Sequence, residues 1–478
     1  MRYTTTRGAL ANVSFERVLF SGFAPDGGLY MPENIPRLEP ETLREWSGFS
    51  YPRLVKEICA LYISREELSR ACIDDLIDAA FSRFPQEEVV SMARLGAGLN
   101  VLELWYGITH TFKDLAMSCV AQLLQHFLSK KNQHVTVLVG TSGDTGSSAI
   151  ESVRGVKAID IVVLFPRGLC SKIQEQQMTT VIEDNVHIFA VDGTADELDV
   201  PIRKLFADEK FVWSHRLISL NSINWARVMV QIAHFFYAYF HCLPVVVGVP
   251  QSPLVEVVVP TGGAGNITAG TVAQMMGLPI RLVTVVNEND IVHRTVQNGD
   301  YSLAKTTKAS LAPAIDIQEP YNLERIFWLF SGMDSSQIKG MMEEFQRLGR
   351  VEVPDTLHRK MLAALVSSSV TDADITQTMV RCWEENHYLL CPHSAVAITH
   401  HYRQVDLGNN RVHRCCLATA SADKFQEAVL KAGLTPEIPP AIRALETMET
   451  RYATMKRGED WEQMLRATVE EITALRNH

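Results

Sequence analysis

No Cys-x-x-Cys pair and no His/Cys cluster at metal-ligand spacing occurs in this chain. Its nine cysteines are scattered apart from the Cys415-Cys416 pair. The pattern argues against a zinc module and a disulfide framework, and it reads as reduced, mostly buried thiols with no metal. Positive charge is short as well. A net charge of −10 argues against nucleic acid as a partner, so an anionic ligand must be held by local dipoles and a few cations. The opening residues Met1-Arg2-Tyr3-Thr4-Thr5-Thr6-Arg7 lack the apolar core of a signal peptide. The most apolar run, residues 243–260, is broken by Gly248, Pro250, Gln251, Ser252, Pro253 and Glu256, which argues against a membrane span. Together these absences predict a cytoplasmic protein that does not use a membrane. Internal repeats and low-complexity tracts are missing too, and no pattern sets an oligomeric state.

What is present is an ordinary globular composition, 46% apolar and 21% charged over 478 residues. That length predicts two or three domains. Residues 1–95 carry a Gly/Pro turn cluster, Ala24-Pro25-Asp26-Gly27-Gly28, and then helical patterns over roughly 51–63, 65–83 and 86–95. Gly107-Ile108-Thr109-His110-Thr111-Phe112-Lys113-Asp114 opens a long helical pattern that runs to about Lys131. Lys113 lies on its apolar stripe with Met117, Val120 and Leu124, while Asp114, Ser118, Gln122 and Gln125 make the polar side. Lys113 is then either a snorkelling lysine or a desolvated amine of lowered pKa, able to attack an aldehyde.

Two strand–turn–helix units offer anion cradles. Residues 134–141 read as a strand, followed by the turn Ser142-Gly143-Asp144-Thr145-Gly146 and a helix. Free N–H groups and the dipole at such a start attract an anion, although Ser142 or Asp144 could simply cap the helix. The second unit runs from the strand 255–259 through Pro260-Thr261-Gly262-Gly263-Ala264-Gly265-Asn266 into a helix. Its glycines let the backbone approach a phosphate closely. A dinucleotide site competes for this loop, with Gly263 and Gly265 as fingerprint glycines and Glu288 as the ribose acid, but Thr268 stands where the third glycine belongs. Arg227, near the start of an apolar helix, opposes the dipole and reads as a local ion pair. His393, in Cys391-Pro392-His393-Ser394, reads as a cap or a satisfied core group. Residues 303–387 read as mostly helical, and 431–478 as linker and a charged surface helix.

Several motifs in order resemble the threonine synthase family, and within it a vertebrate synthase-like branch. They are Ser21-Gly22-Phe23-Ala24-Pro25-Asp26-Gly27-Gly28-Leu29-Tyr30, Phe112-Lys113-Asp114-Leu115-Ala116, Thr141-Ser142-Gly143-Asp144-Thr145-Gly146, Asn221-Ser222-Ile223-Asn224-Trp225-Ala226-Arg227 and Asn287-Glu288-Asn289-Asp290. The resemblance implies an α/β protein of pyridoxal-phosphate (PLP) fold type II, tryptophan-synthase-β-like. It would have a helical N-terminal domain over 1–95 and two open α/β lobes, 96–242 and 243–430, around a cofactor cleft. Residues 431–478 would form a helical extension. It implies Lys113 as the Schiff-base lysine and catalytic base, and a PLP phosphate on Gly262, Gly263, Ala264, Gly265 and Asn266. It further implies Thr419 at the pyridine nitrogen and a substrate carboxylate on Ser142, Gly143, Asp144, Thr145 and Gly146. The implied partner is a small phosphorylated amino acid, with Arg167, Lys172 and Arg227 as unranked cations for its phosphate.

Some positions depart from the family pattern. Where the family usually reads His-Gly-Pro-Thr, Ser-Gly-Asn-Phe-Gly-Asp and Thr-Ala-His-Pro, this chain has Tyr106-Gly107-Ile108-Thr109, Thr261-Gly262-Gly263-Ala264-Gly265-Asn266 and Thr419-Ala420-Ser421-Ala422. The implied PLP-holding features survive, and the changes are expected to alter the pocket. They favour a phospho-lyase making 2-oxobutyrate, ammonia and phosphate from O-phosphohomoserine and O-phosphothreonine. Threonine synthase proper is the first alternative, and a catalytically weak PLP-fold binding or signalling protein is the second. Intact Lys113 and Thr419 speak against the last.

Overall fold

The computed structural model describes residues 1–86, 88–243, 254–409 and 412–476. Its frame is two mostly parallel sheets. The six-stranded sheet has the order Leu365–Ser369, Ile280–Val286, Val255–Pro260, His413–Ala418, Asn100–Glu103, Ser91–Arg94. The five-stranded sheet has the order Ala453–Met455, Val186–Val191, Ile159–Pro166, Val135–Gly140, Leu217–Ile218. Val135–Gly140, Ile159–Pro166 and Val255–Pro260 are buried along their whole length, which is why they read as continuous apolar runs rather than as alternating ones. The C-terminal ends of strands in both sheets, at Gly140, Pro260 and just beyond Ala418, border one cleft, the usual place for a ligand in open α/β sheets. The fold is thus α/β with a helical N-terminal region, as expected.

The helix Lys113–Lys131 crosses between the two frames. It follows Asn100–Glu103 of the six-stranded sheet and leads into Val135–Gly140 of the five-stranded one. At the N-terminus, Pro40–Trp46, Tyr51–Tyr62 and Arg70–Phe81 are helices, and Tyr51–Tyr62 packs on the buried helix Trp225–Cys242.

Three local expectations change. Residues 91–94 are a strand rather than helix, because Ala97 and Gly98 turn the chain with positive φ and bring Ser91–Arg94 antiparallel to Asn100–Glu103. Within 303–387, Leu365–Ser369 joins the sheet edge beside Ile280–Val286. The C-terminal segment is more than linker and helix, since Ala453–Met455 adds a parallel strand beside Phe189–Val191. Residues 244–253 of the apolar run lie outside the described residues. No helix among the described residues is long and apolar enough to cross a membrane.

Candidate active site

Lys113 begins its helix, and its side chain is only 13% exposed. Its Nζ lies 3.8 Å from Asp144 Oδ2. Burial pulls its pKa down to about 8; Asp144 opposes this, and the Arg227 and Lys424 charges reinforce it. The desolvated-amine reading is therefore the one the geometry supports. Asp114 is not on a polar face. It is buried and accepts from the Thr109 N–H (2.8 Å) and hydroxyl (2.6 Å), which ties the loop before Lys113 to its helix.

The turn after Val135–Gly140 is not capped by a side chain. Gly143 holds the N-cap at φ 132°, where only glycine fits well, and a Cβ there would meet Gln174 at 2.5 Å. Thr141 Oγ1 accepts from the N–H of both Gly143 and Gly146, 2.9 Å each. The N–H groups of Ser142, Asp144 and Thr145 keep no partner among the described residues. Asp144 Oδ1 accepts from Gln174 (2.9 Å) and pairs with the fully buried Lys424 Nζ at 2.7 Å. With Lys424 and Lys113 beside it, Asp144 is held well below the ordinary carboxylate range despite burial.

The second loop leaves its strand at Thr261, whose N–H donates to Val285 O (2.8 Å). The N–H groups of Gly262, Gly263, Ala264, Gly265, Asn266 and Ile267 have no partner among the described residues. Ala264 sits at φ 62°, which turns the backbone into the helix Gly265–Met275. Asn322 Nδ2 fixes the loop by donating to Gly263 O and Ser222 Oγ, 2.9 Å each. Asn266 Nδ2 is buried without a partner, an orphan that a bound anion would satisfy.

Thr419 reaches the same cleft, and its carbonyl is held by the Phe112 N–H at 2.8 Å. His393 Nε2 accepts from the Ala314 N–H (3.0 Å), whereas Nδ1 is buried and unpartnered. It is thus neither a cap nor fully satisfied. Burial holds it neutral, with a pKa near 4. Arg227 has no ion pair among the described residues; it donates to Leu220 O (2.9 Å), and its Nε is unpartnered. Arg167 and Lys172, by contrast, are exposed and face Asp192 (3.1 Å) and Glu446 (3.8 Å). Arg227 is the one of the three that lines the cleft. Glu288 faces Lys308 at 3.2 Å, away from the cleft.

Of the positions departing from the family pattern, Thr261, Gly263, Ala264 and Asn266 border the cleft, and Tyr106, Ile108, Ser421 and Ala422 do not. Tyr106 turns to Glu103, and Ile108 is 46% exposed. The expectation that all of them reshape the pocket therefore narrows to the changed positions of the second loop. Sequence reading missed Lys424, Asn322 and Asp199. Lys424 alone carried a signal, a lysine between Ala422 and Phe425 at a helix start.

Comparison with known proteins agrees with this arrangement. The family described as "Pyridoxal-phosphate dependent enzyme" matches residues 88–412. "Threonine synthase N terminus" matches residues 2–81, and "Threonine synthase, C-terminal" matches residues 394–467. Threonine synthase-like 2 of Xenopus laevis is 61% identical over 473 residues, covering 99% of each chain. Among solved structures, the yeast threonine synthase superposes with a TM-score of 0.88 at 32% identity, covering 99% of each chain. A PLP-bound threonine synthase from Brucella melitensis gives 0.88 at 30%, with 99% of each chain covered.

Proposed function

Because the chain belongs to the threonine synthase family of pyridoxal-phosphate-dependent enzymes, we propose that it is a phospho-lyase. It eliminates phosphate from O-phosphohomoserine and O-phosphothreonine and yields 2-oxobutyrate, ammonia and phosphate. The residues suit the cofactor: unpaired N–H groups of residues 262–267 and the orphan Asn266 amide for a phosphate, and a buried amine for an aldehyde. When bound, the cofactor supplies an electrophilic carbon for amines and a ring that accepts the electrons of a bond broken at Cα.

The chain's own groups do the rest. The Gly262–Asn266 backbone would hold the cofactor phosphate, and Thr419 would offer the pyridine nitrogen a hydroxyl rather than a carboxylate. The free N–H groups of Ser142, Asp144 and Thr145 take the substrate carboxylate. Lys113 accepts the α-proton and then stands as an ammonium 3.8 Å from Asp144, which Lys424 keeps ionised. Arg227, buried and without an ion pair among the described residues, receives the leaving phosphate.

The observation that carries the reading is the presence, in one cleft, of a buried base and a buried guanidinium without a counter-ion among the described residues. Elimination needs little more. Adding water also needs a water held over one face of the β-carbon, and a displacement of about 1 Å there costs on the order of a hundredfold. One observation supports the lyase over the synthase. Gly263 leaves open space at the loop's centre, since a Cβ there would meet only Ser222 Oγ at 3.8 Å. Full coverage by synthases favours threonine synthesis as the second reading. The PLP-loaded chain, incubated with each substrate in labelled water, is expected to give 2-oxobutyrate. Threonine as the main product from O-phosphohomoserine would restore the synthase.

A further inference from the structure

Asp199 borders the cleft without a hydrogen bond or ion pair among the described residues. It lies in the helix Ala195–Ala207 with Asp196 before it and Arg203 after it on the same face. Its Oδ1 presses on Gly140, where a Cβ would come within 2.9 Å. Gly140 O in turn accepts from Asn221 Nδ2 at 2.8 Å, and the neighbouring Leu220 O accepts from Arg227 at 2.9 Å. Arg227 and Asp199 both line the cleft.

The charges that reach Asp199 are Arg203, Asp196 and Glu319. Arg203 is engaged by Glu319 from the loop opposite, at 2.6 Å. The strand behind, Val135–Gly140, has no ionisable side chain. On the next strand, Asp160 is taken by His134, His187 and Arg476. On the helix Trp461–Arg476, Glu462 faces Lys204 and Arg466. Burial and the two like charges outweigh Arg203 and hold Asp199 at about 7. An ionised carboxylate beside a phosphate would repel it, whereas a protonated one donates to it.

We propose that Asp199 is the acid of the elimination: its protonated carboxyl hydrogen-bonds the substrate's phosphoryl group and gives that proton to the departing phosphate. This role rests on the lyase reading. For O-phosphothreonine, Lys113 takes the α-proton and the freed C–H pair becomes the new carbon–carbon double bond. The C–O bond breaks with its pair on the bridging oxygen, and Asp199's proton goes to that oxygen to give hydrogen phosphate. The Asp199 carboxylate then regains a proton from water.

The test uses the PLP-loaded full chain with sulfate as a tetrahedral probe whose charge is constant between pH 6 and 8. If the acid form alone binds, wild-type affinity for sulfate falls about tenfold from pH 6 to pH 8, following the competent fraction. Asp199→Asn, nearly isosteric and also a donor, flattens that dependence. Glu319→Gln removes a like charge and moves the midpoint to lower pH. Release of phosphate from O-phosphothreonine is followed in parallel, and Asp199→Asn is expected to lose the descending limb near pH 7 and on the order of a hundredfold in rate. An unchanged pH slope and rate in Asp199→Asn, with phosphate released, overturns the proposal and leaves the lyase reading standing. No phosphate from wild type at any pH overturns the reading itself, and with it the acid role, even where sulfate binding keeps its slope.

Discussion

Lys113 stands where an ammonium is poorly held: buried, at the positive end of a helix, and in the field of Arg227 and Lys424. Its pKa near 8 lies below the lysine norm, so protonation is the costly state. Capture of PLP by the cofactor-free chain is therefore expected to slow about tenfold per pH unit below that value, because the neutral amine is the nucleophile. Borohydride should then fix the cofactor to the peptide containing residue 113, and Lys113→Ala should lose both fixation and phosphate release with the fold intact. A pH-independent capture rate, or label on another lysine, would count against the assignment. The apolar stripe singled out Lys113 but left a snorkelling side chain and a desolvated amine both open, and its burial decides between them. Asp114 was misread for the same reason that stripe arguments fail at helix starts: its partner, Thr109, lies in the preceding loop. Arg227 looked like half of an ion pair, and the absence of the other half is visible only in three dimensions.

At the scale of the element, the glycines of the second loop are not equivalent. A Cβ on Gly262 would meet the Ala314 carbonyl oxygen at 2.4 Å, and one on Gly265 would meet Ser222 Cβ at 3.1 Å. At Gly263 the nearest atom is 3.8 Å away. Gly262→Ala and Gly265→Val are expected to lose PLP on dialysis while circular dichroism keeps the helical signal, and Gly263→Ala should retain it. Equal retention in all three would mean that the phosphate is held elsewhere. The strand–turn–helix order of both cradles was readable because buried parallel strands are continuous apolar runs. Ser91–Arg94 and Leu365–Ser369 were not, since short strands owe their state to the neighbour they pair with, which local periodicity does not carry.

Across the whole molecule, the C-terminal segment is bound into the five-stranded lobe. Arg476 donates to both oxygens of the buried Asp160 (2.8 and 3.1 Å), which also meets His134 at 2.6 Å and His187 at 3.2 Å. These partners hold Asp160 far below the ordinary carboxylate range against burial. Its stabilisation is therefore present above the unfolded-state pKa of about 4 and is lost as pH falls below it. Asp160→Asn is expected to lower urea stability by roughly 1–3 kcal/mol at pH 7, discounted for partners that are partly exposed. Unchanged unfolding midpoints would refute this. The charged terminal helix was foreseen, but its attachment was not, because Asp160 and Arg476 lie far apart in the chain.

The Asp144–Lys424 pair couples a residue that follows Val135–Gly140 to one that follows His413–Ala418. Removing either partner would leave a buried charge uncompensated, at about 3–5 kcal/mol. On the far side of the cleft, Arg203 and Glu319 are each about a third exposed (34% and 31%), and parting them costs about 1 kcal/mol or less. Of these two pairs, the exposed one is therefore much the cheaper to part, and the buried one beside Lys113 ties the ends of the two sheets together.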